Sequence, residues 1–259
     1  MKSLALNVTT HNDLHKLFAV SALTFCLAAA DVRANPFEDC TNSYNLELVF
    51  AGCDEIIGAD WATDQQIKLA FNNRGNALGA VGQLQAAIEE YSKALALDPH
   101  YVTARYNRAS TYLETNEPDA AIADFNVVIK LDPQHVDAVH NRGLALLRLG
   151  DHESAIADFS LTIDMKPAYA IALNNRGVAW RNAGDRDRAI ADFTRAVEID
   201  PDYRTALNNR GELHALARRV DLASADFRSV LQLEPTDERA RRNLHLLMQE
   251  ISESKGVVP

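Results

Sequence analysis

The chain lacks any uninterrupted apolar stretch of the roughly 18 to 20 residues that a membrane-spanning helix requires, so stable insertion into a bilayer is not expected. It also lacks a glycine-rich phosphate loop and a partnered nucleophile. His100, His135, His140, His152, His214 and His245 show no metal-ligand spacing, so neither a metal, a cofactor nor catalysis is expected. Positive charge is in short supply, with 26 Lys and Arg against 36 Asp and Glu and a net charge of −10. Such an exterior repels phosphate backbones, which argues against a nucleic-acid partner. What remains, 47% hydrophobic and 24% charged, is ordinary for a soluble globular protein able to bury a core.

The N-terminus departs from that profile. Residues 17–30 form one uncharged apolar run behind Lys2 and Lys16, and small residues follow at Ala28-Ala29-Ala30 and Val32-Arg33-Ala34. This pattern predicts a signal peptide over 1–34, with cleavage after Ala34 favoured, and a periplasmic or secreted protein. Cys26 within the run raises a lipoprotein reading, which bulky Phe25 before it disfavours.

Further along, Pro99, Pro133, Pro167, Pro201 and Pro235 recur every 34 residues without an insertion. The same ruler connects Asn73, Asn107, Asn141, Asn175 and Asn209, the Arg that follows each, and then Gly75, Ala109, Gly143, Gly177 and Gly211. It also connects Ala87, Ala121, Ala155, Ala189 and Ala223, and the rings of Tyr91, Phe125, Phe159, Phe193 and Phe227. A fixed period of this size means stacked supersecondary units. Each unit reads as two antiparallel helices, the first stopped at Gly82, Asn116, Gly150 or Gly184 and the second by the proline. Acids at Asp119, Glu153, Asp187 and Asp221 suit the first turn of the second helix. Small residues let the two backbones approach, and the ring fills the space between neighbours.

The pattern resembles the tetratricopeptide repeat family: 34 residues, with a small residue at repeat position 8, Ala at 20, an aromatic at 24 and Pro at 32, counted from Lys68. The resemblance implies an all-α, right-handed α-solenoid of antiparallel helical hairpins. Repeats are expected at 68–101, 102–135, 136–169, 170–203 and 204–237, with a degenerate N-terminal capping repeat at 35–67, a capping helix at 238–251 and a flexible tail at 252–259. Arg at position 7 departs from the apolar residue common in the family, and the large residue of position 4 is lost at Arg105. The fifth unit is the least regular, carrying Arg218-Arg219 where the turn glycine would sit. One period before the first repeat, Cys40 falls at position 7 and Cys53 at position 20. These positions face each other across a hairpin, so a disulfide is expected in an oxidising compartment, two buried free thiols being the other reading.

In the family, positions 2, 5, 6, 9 and 13 of the first helix line the concave surface. Asn73, Asn107, Asn141, Asn175 and Asn209 would then form a ladder binding a peptide backbone, since an amide offers donors and an acceptor whatever the side chain it meets. The ladder alone resembles that of the helical-repeat arm of protein O-linked N-acetylglucosamine transferases. The other reading has each Asn bond the neighbouring hairpin and fix curvature. Positions 5 and 9, among them Tyr106, His140, Asn174 and Asn208, then Asn76, Ser110, Leu144, Val178 and Glu212, are expected to give a mixed polar and apolar surface. The recurrent Arg pairs on the same ruler with Glu90, Asp124, Asp158, Asp192 and Asp226, which predicts a buried or half-buried ion pair in each unit. The expected function is a non-catalytic scaffold for a protein or peptide partner. A solenoid that self-associates without a peptide ligand is the alternative.

Overall fold

A computed structural model describes residues 35–42 and 44–254. The expected signal peptide at 1–34 lies outside the described residues, as does most of the expected tail. Thirteen α-helices and no strand occur among the described residues. The chain divides into two compact units, one ending at Leu149 and the other starting at Gly150. The first holds α1 (Pro36–Cys40), α2 (Leu46–Ile57), α3 (Asp64–Ala80), α4 (Leu84–Leu97), α5 (Val102–Glu114), α6 (Pro118–Leu131) and α7 (Val136–Leu149). The second holds α8 (His152–Met165), α9 (Ala170–Asn182), α10 (Arg186–Ile199), α11 (Arg204–Leu216), α12 (Val220–Leu233) and α13 (Glu238–Ser254). Within each unit every helix packs on the next, and alternate first helices also touch: α3 with α5, α5 with α7, α9 with α11, α11 with α13. Each unit is therefore an all-α stack of helical repeats.

The ruler explains where helices stop. The second helices end at Leu97, Leu131, Met165, Ile199 and Leu233, each two residues before its proline, because the residue preceding proline is pushed out of the helical region. Between the two helices of a hairpin, Gly82, Asn116, Gly150 and Gly184 take positive φ of 79°, 61°, 80° and 90°. Arg218 takes the same place in the fifth hairpin at φ 58°. The irregular sequence there leaves the turn in register, at the cost of a left-handed conformation that an L-residue with a Cβ disfavours. Asp151 and Asp185 cap α8 and α10 by accepting from the backbone N–H of Ser154 and Arg188 at 3.1 and 3.0 Å.

Packing follows the small and aromatic positions. Ala87, Ala121, Ala155, Ala189 and Ala223 are fully buried, as are Phe125, Phe159 and Phe193, with Phe227 and Tyr91 nearly so. Burying each ring contributes roughly 1.5–3 kcal/mol. A Cβ added to Gly75, Gly177 or Gly211 would lie 2.6, 2.7 or 2.8 Å from the ring of Tyr91, Phe193 or Phe227, so the small residue is demanded by the ring sixteen residues later.

The N-terminal end departs from the repeat. Its first helix is only five residues long, because asparagines build a turn after it. Asn42 Oδ1 accepts from the N–H of Tyr44 and Asn45, and Asn45 Oδ1 caps α2 through Glu47 and Leu48. Cys40 and Cys53 are joined by a disulfide between α1 and α2, inside a small core with Val49, Ile56, Ala70 and Ala77. At the other end α13 continues to Ser254, three residues beyond 251, and buries Ala240 and Leu247 against Leu207, Phe227 and Val230. Among the described residues no helix is long and apolar enough to cross a membrane.

Candidate peptide-binding face

The first helices are positioned by a recurrent arginine. Arg108 donates through Nε and NH2 to Asp124 at 2.7 and 2.9 Å, Arg176 to Asp192 at 2.8 and 2.7 Å, and Arg210 to Asp226 at 3.0 and 2.7 Å. Arg74 reaches Glu90 at 2.8 and 2.6 Å. All four follow the spacing of sixteen; the aspartate pairs are fork-shaped, with one bond to each carboxylate oxygen, whereas Arg74 places both on Glu90 Oε2. Hydrogen bonds donated to Asp124 and Asp192 raise the pKa of Arg108 and Arg176 above the ordinary guanidinium value despite burial. Burial acts to lower that of Arg74, but its bonds to Glu90 and Asp54 outweigh it. The fifth pair, Arg142 and Asp158, falls on either side of the division after Leu149.

Four of the five arginines also have a third arm that the spacing did not announce, and Arg74 instead sends its Nη1 to Asp54 of α2. NH1 of Arg108, Arg142, Arg176 and Arg210 donates to Ser92 (2.9 Å), Asn126 (2.8 Å), Ser160 (3.1 Å) and Thr194 (3.4 Å), always sixteen residues back on the preceding second helix. At Arg108, Arg176 and Arg210 one guanidinium thus ties three helices together. The signal was available, since a short polar residue recurs at 92, 126, 160 and 194 on the same ruler. Arg105, where a large apolar residue was expected, donates to Asp124 at 2.9 Å and to the Pro99 carbonyl at 2.6 Å. Its guanidinium replaces lost packing with polar contacts.

The asparagines share one register on the first helices but differ in exposure. In the first unit Asn73 and Asn107 are half-buried, and Asn141 is 9% exposed. In the second, Asn175 and Asn209 are 0% and 1% exposed. Asn107 Nδ2 donates to Asn72 Oδ1 and Asn76 Oδ1 at 3.1 and 3.0 Å, Asn141 Nδ2 to the Tyr106 hydroxyl at 3.2 Å, and Asn209 Nδ2 to Asn174 Oδ1 at 2.9 Å. Asn73 Nδ2 lies 3.9 Å from Cys40 Sγ, and Asn175 Oδ1 accepts from Asn174 Nδ2 at 3.2 Å. Asn72, Tyr106 and Asn174 sit 35 residues before their donors, one more than the period, and Asn76 sits 31 before Asn107. His140, Leu144, Asn174, Val178 and Asn208 are buried rather than surface-lining. Asn76 stays exposed.

Clefts open beside this register in both units. In the first unit Phe37, Ile56, Leu69, Ala70 and Asn73 line one of 540 Å³ beside Cys40. In the second, Leu213 and Leu216 of α11, Leu246 and Leu247 of α13 and Arg181 of α9 line one of 570 Å³. Among the described residues no group of three or more His, Cys, Asp or Glu could hold a metal ion.

Comparison with known proteins agrees with this architecture. A tetratricopeptide repeat profile matches residues 72–136, 140–203 and 179–238. The crystal structure of MamA is similar over 62% of this chain and 94% of that one, with 25% identity and a TM-score of 0.59. YrrB, a TPR protein described as having an unusual peptide-binding site, is similar over 67% of this chain and 89% of that one, with 23% identity and a TM-score of 0.57. A tetratricopeptide repeat protein from Parabacteroides merdae is similar over 82% and 79% of the two chains, with 23% identity and a TM-score of 0.63. No curated protein matches. With the profile spanning more than half of the sequence, over the residues where the 34-residue ruler runs, the chain belongs to the tetratricopeptide repeat family.

Proposed function

We propose that this protein is an exported, non-catalytic scaffold that holds an extended segment or helix of a partner protein on its first-helix face. Tetratricopeptide repeat proteins are in general protein-interaction scaffolds, and YrrB, of similar fold, is described by its peptide-binding site. The observation that carries the reading is the pairing of half-buried amides at Asn73 and Asn107 with an apolar cleft beside Asn73. Such a surface offers backbone-directed hydrogen bonds next to a place for an aliphatic side chain. In this reading Asn73 and Asn107 meet the partner, while Asn141, Asn175 and Asn209 set the spacing of the first helices that present it. The Cys40–Cys53 disulfide suits an oxidising compartment, and with the N-terminal apolar run it supports a periplasmic or secreted location.

Photo-cross-linking tests the assignment. A cross-linking residue at Asn76 or Ser110 should trap a partner from the native envelope, and one at Ala96 or Ala123 on the second helices should not. The Asn73→Ala, Asn107→Ala double variant should weaken capture while melting within a few degrees of the parent, since each lost hydrogen bond costs about 1 kcal/mol. Trapping at the second helices alone would refute the reading. Loss of folding in the double variant would assign both amides to structure.

A further inference from the structure

The cleft of the second unit breaks the repeat in its charges. Arg181 stands where the other four units carry Gly79, Leu113, Leu147 and Ala215, and Glu212 where they carry Asn76, Ser110, Leu144 and Val178. Glu212 is already well supplied with donors. Its carboxylate accepts from Arg239 Nε and NH2 at 2.8 and 2.8 Å and from Asn243 Nδ2 at 2.9 Å. Arg181 NH1 stays 3.7 Å from that carboxylate, beyond hydrogen-bond distance, although the Arg181 side chain is only 22% exposed. A guanidinium carries five donors, and among the described residues this one donates no hydrogen bond. Burial lowers its pKa, Glu212 opposes that and the Arg239 charge adds to it, so the cation sits where a further carboxylate would relieve it.

The remaining charges at the cleft are Arg218 and Glu250, paired at 3.2 Å and largely exposed. Among the residues that line the cleft, Arg181 and Arg218 balance Glu212 and Glu250, while Arg239, outside the lining, engages the Glu212 carboxylate and leaves Arg181 without a close acceptor. Around them Leu213, Leu216, Leu246 and Leu247 provide apolar walls, with Leu216 and Leu246 62% and 52% exposed.

We infer that this cleft takes a partner segment in which an internal Asp or Glu stands among aliphatic side chains, its carboxylate accepting from the Arg181 guanidinium. The inference rests on the scaffold reading and narrows it by naming the chemistry of one contact. A bidentate guanidinium–carboxylate pair in a half-buried cleft selects acid over amide, because the isosteric amide has no charge to offer and presents donors to a donor.

Two fluorescein-labelled peptides test it on the full chain by anisotropy titration: Gly-Leu-Val-Glu-Leu-Leu-Gly and the same peptide with Gln for Glu. The acidic peptide should bind about tenfold more tightly, and added salt should reduce that preference. Arg181→Gln should bring the two affinities together by weakening the acidic peptide alone, and Arg181→Lys should keep part of the preference, with circular dichroism confirming the fold of both. Equal affinities for the parent protein would overturn the inference, as would a preference that survives in Arg181→Gln. If both peptides bind equally and Leu216→Asp abolishes both, the carboxylate contact is wrong while the cleft still docks a segment. Failure of either peptide to bind overturns the cleft assignment, whereas the scaffold reading stands or falls separately on cross-linking at Asn76 and Ser110.

Discussion

The two ends of the repeat array are closed by different physics. At the N-terminal end a five-residue helix and its successor are held by the Cys40–Cys53 bond and by asparagine turns, around a core of small and medium side chains. At the C-terminal end α13 occupies the place of a sixth first helix. It keeps Asn243 on the ruler but carries Leu244 and His245 where the repeats have Arg and a small residue. Those substitutions remove the residues that would grip a second helix, and burial of Ala240 and Leu247, partial burial of Ile251 and the Arg239–Glu212 pair hold α13 instead. An end with little core is closed covalently. An end with a full helix is closed by burial.

This contrast can be broken at either end. The Cys40→Ala, Cys53→Ala double variant should lose about 3 kcal/mol, as expected for a cross-link closing a short loop. Hydrogen exchange should show the loss confined to residues 36–80, with 204–254 unaffected. Leu247→Ala should cost about 2 to 3 kcal/mol through a cavity beneath α13, with exchange raised over 204–254 and no response to reductant. Arg218→Gly should raise the denaturation midpoint, adding up to about 1 kcal/mol, because glycine accepts φ 58° without the Cβ penalty. The exposed Arg218–Glu250 pair that it removes contributes little.

The smallest effect is with pH. Burial lowers the pKa of His214 below the ordinary 6.5, with Asp226 opposing and Arg210 and Arg219 adding. The unfolded chain then takes up the proton first, so the contribution of neutral His214 is intact above pH 6.5 and is lost as pH falls through the folded value. Melting of the parent should decline more steeply below that pH than melting of His214→Gln.

Much of this was legible in the sequence because one ruler sets it. The proline stops, the left-handed turn residues, the small residue beneath the ring and the arginine–acid spacing each depend on contacts within one hairpin, which a period reports directly. Exposure of the asparagines was not legible. It depends on how closely one first helix approaches the next, and identical residues at identical positions come out half-buried at Asn107 and sealed at Asn209. The short first helix escaped for a local reason, since the Asn42 and Asn45 turns override the repeat register. The Arg181 and Glu212 cleft was not legible because both residues depart from those one period away, and a repeat carries no signal for a residue found once.

Hydrogen exchange with a bound partner segment tests the central claim most directly. Adding the segment trapped by cross-linking should slow exchange along α3, α5, α9, α11 or α13 and leave α4, α6, α10 and α12 at their free rates. Protection confined to the second helices, or growth of the protein into oligomers with no protection by any segment, would contradict it.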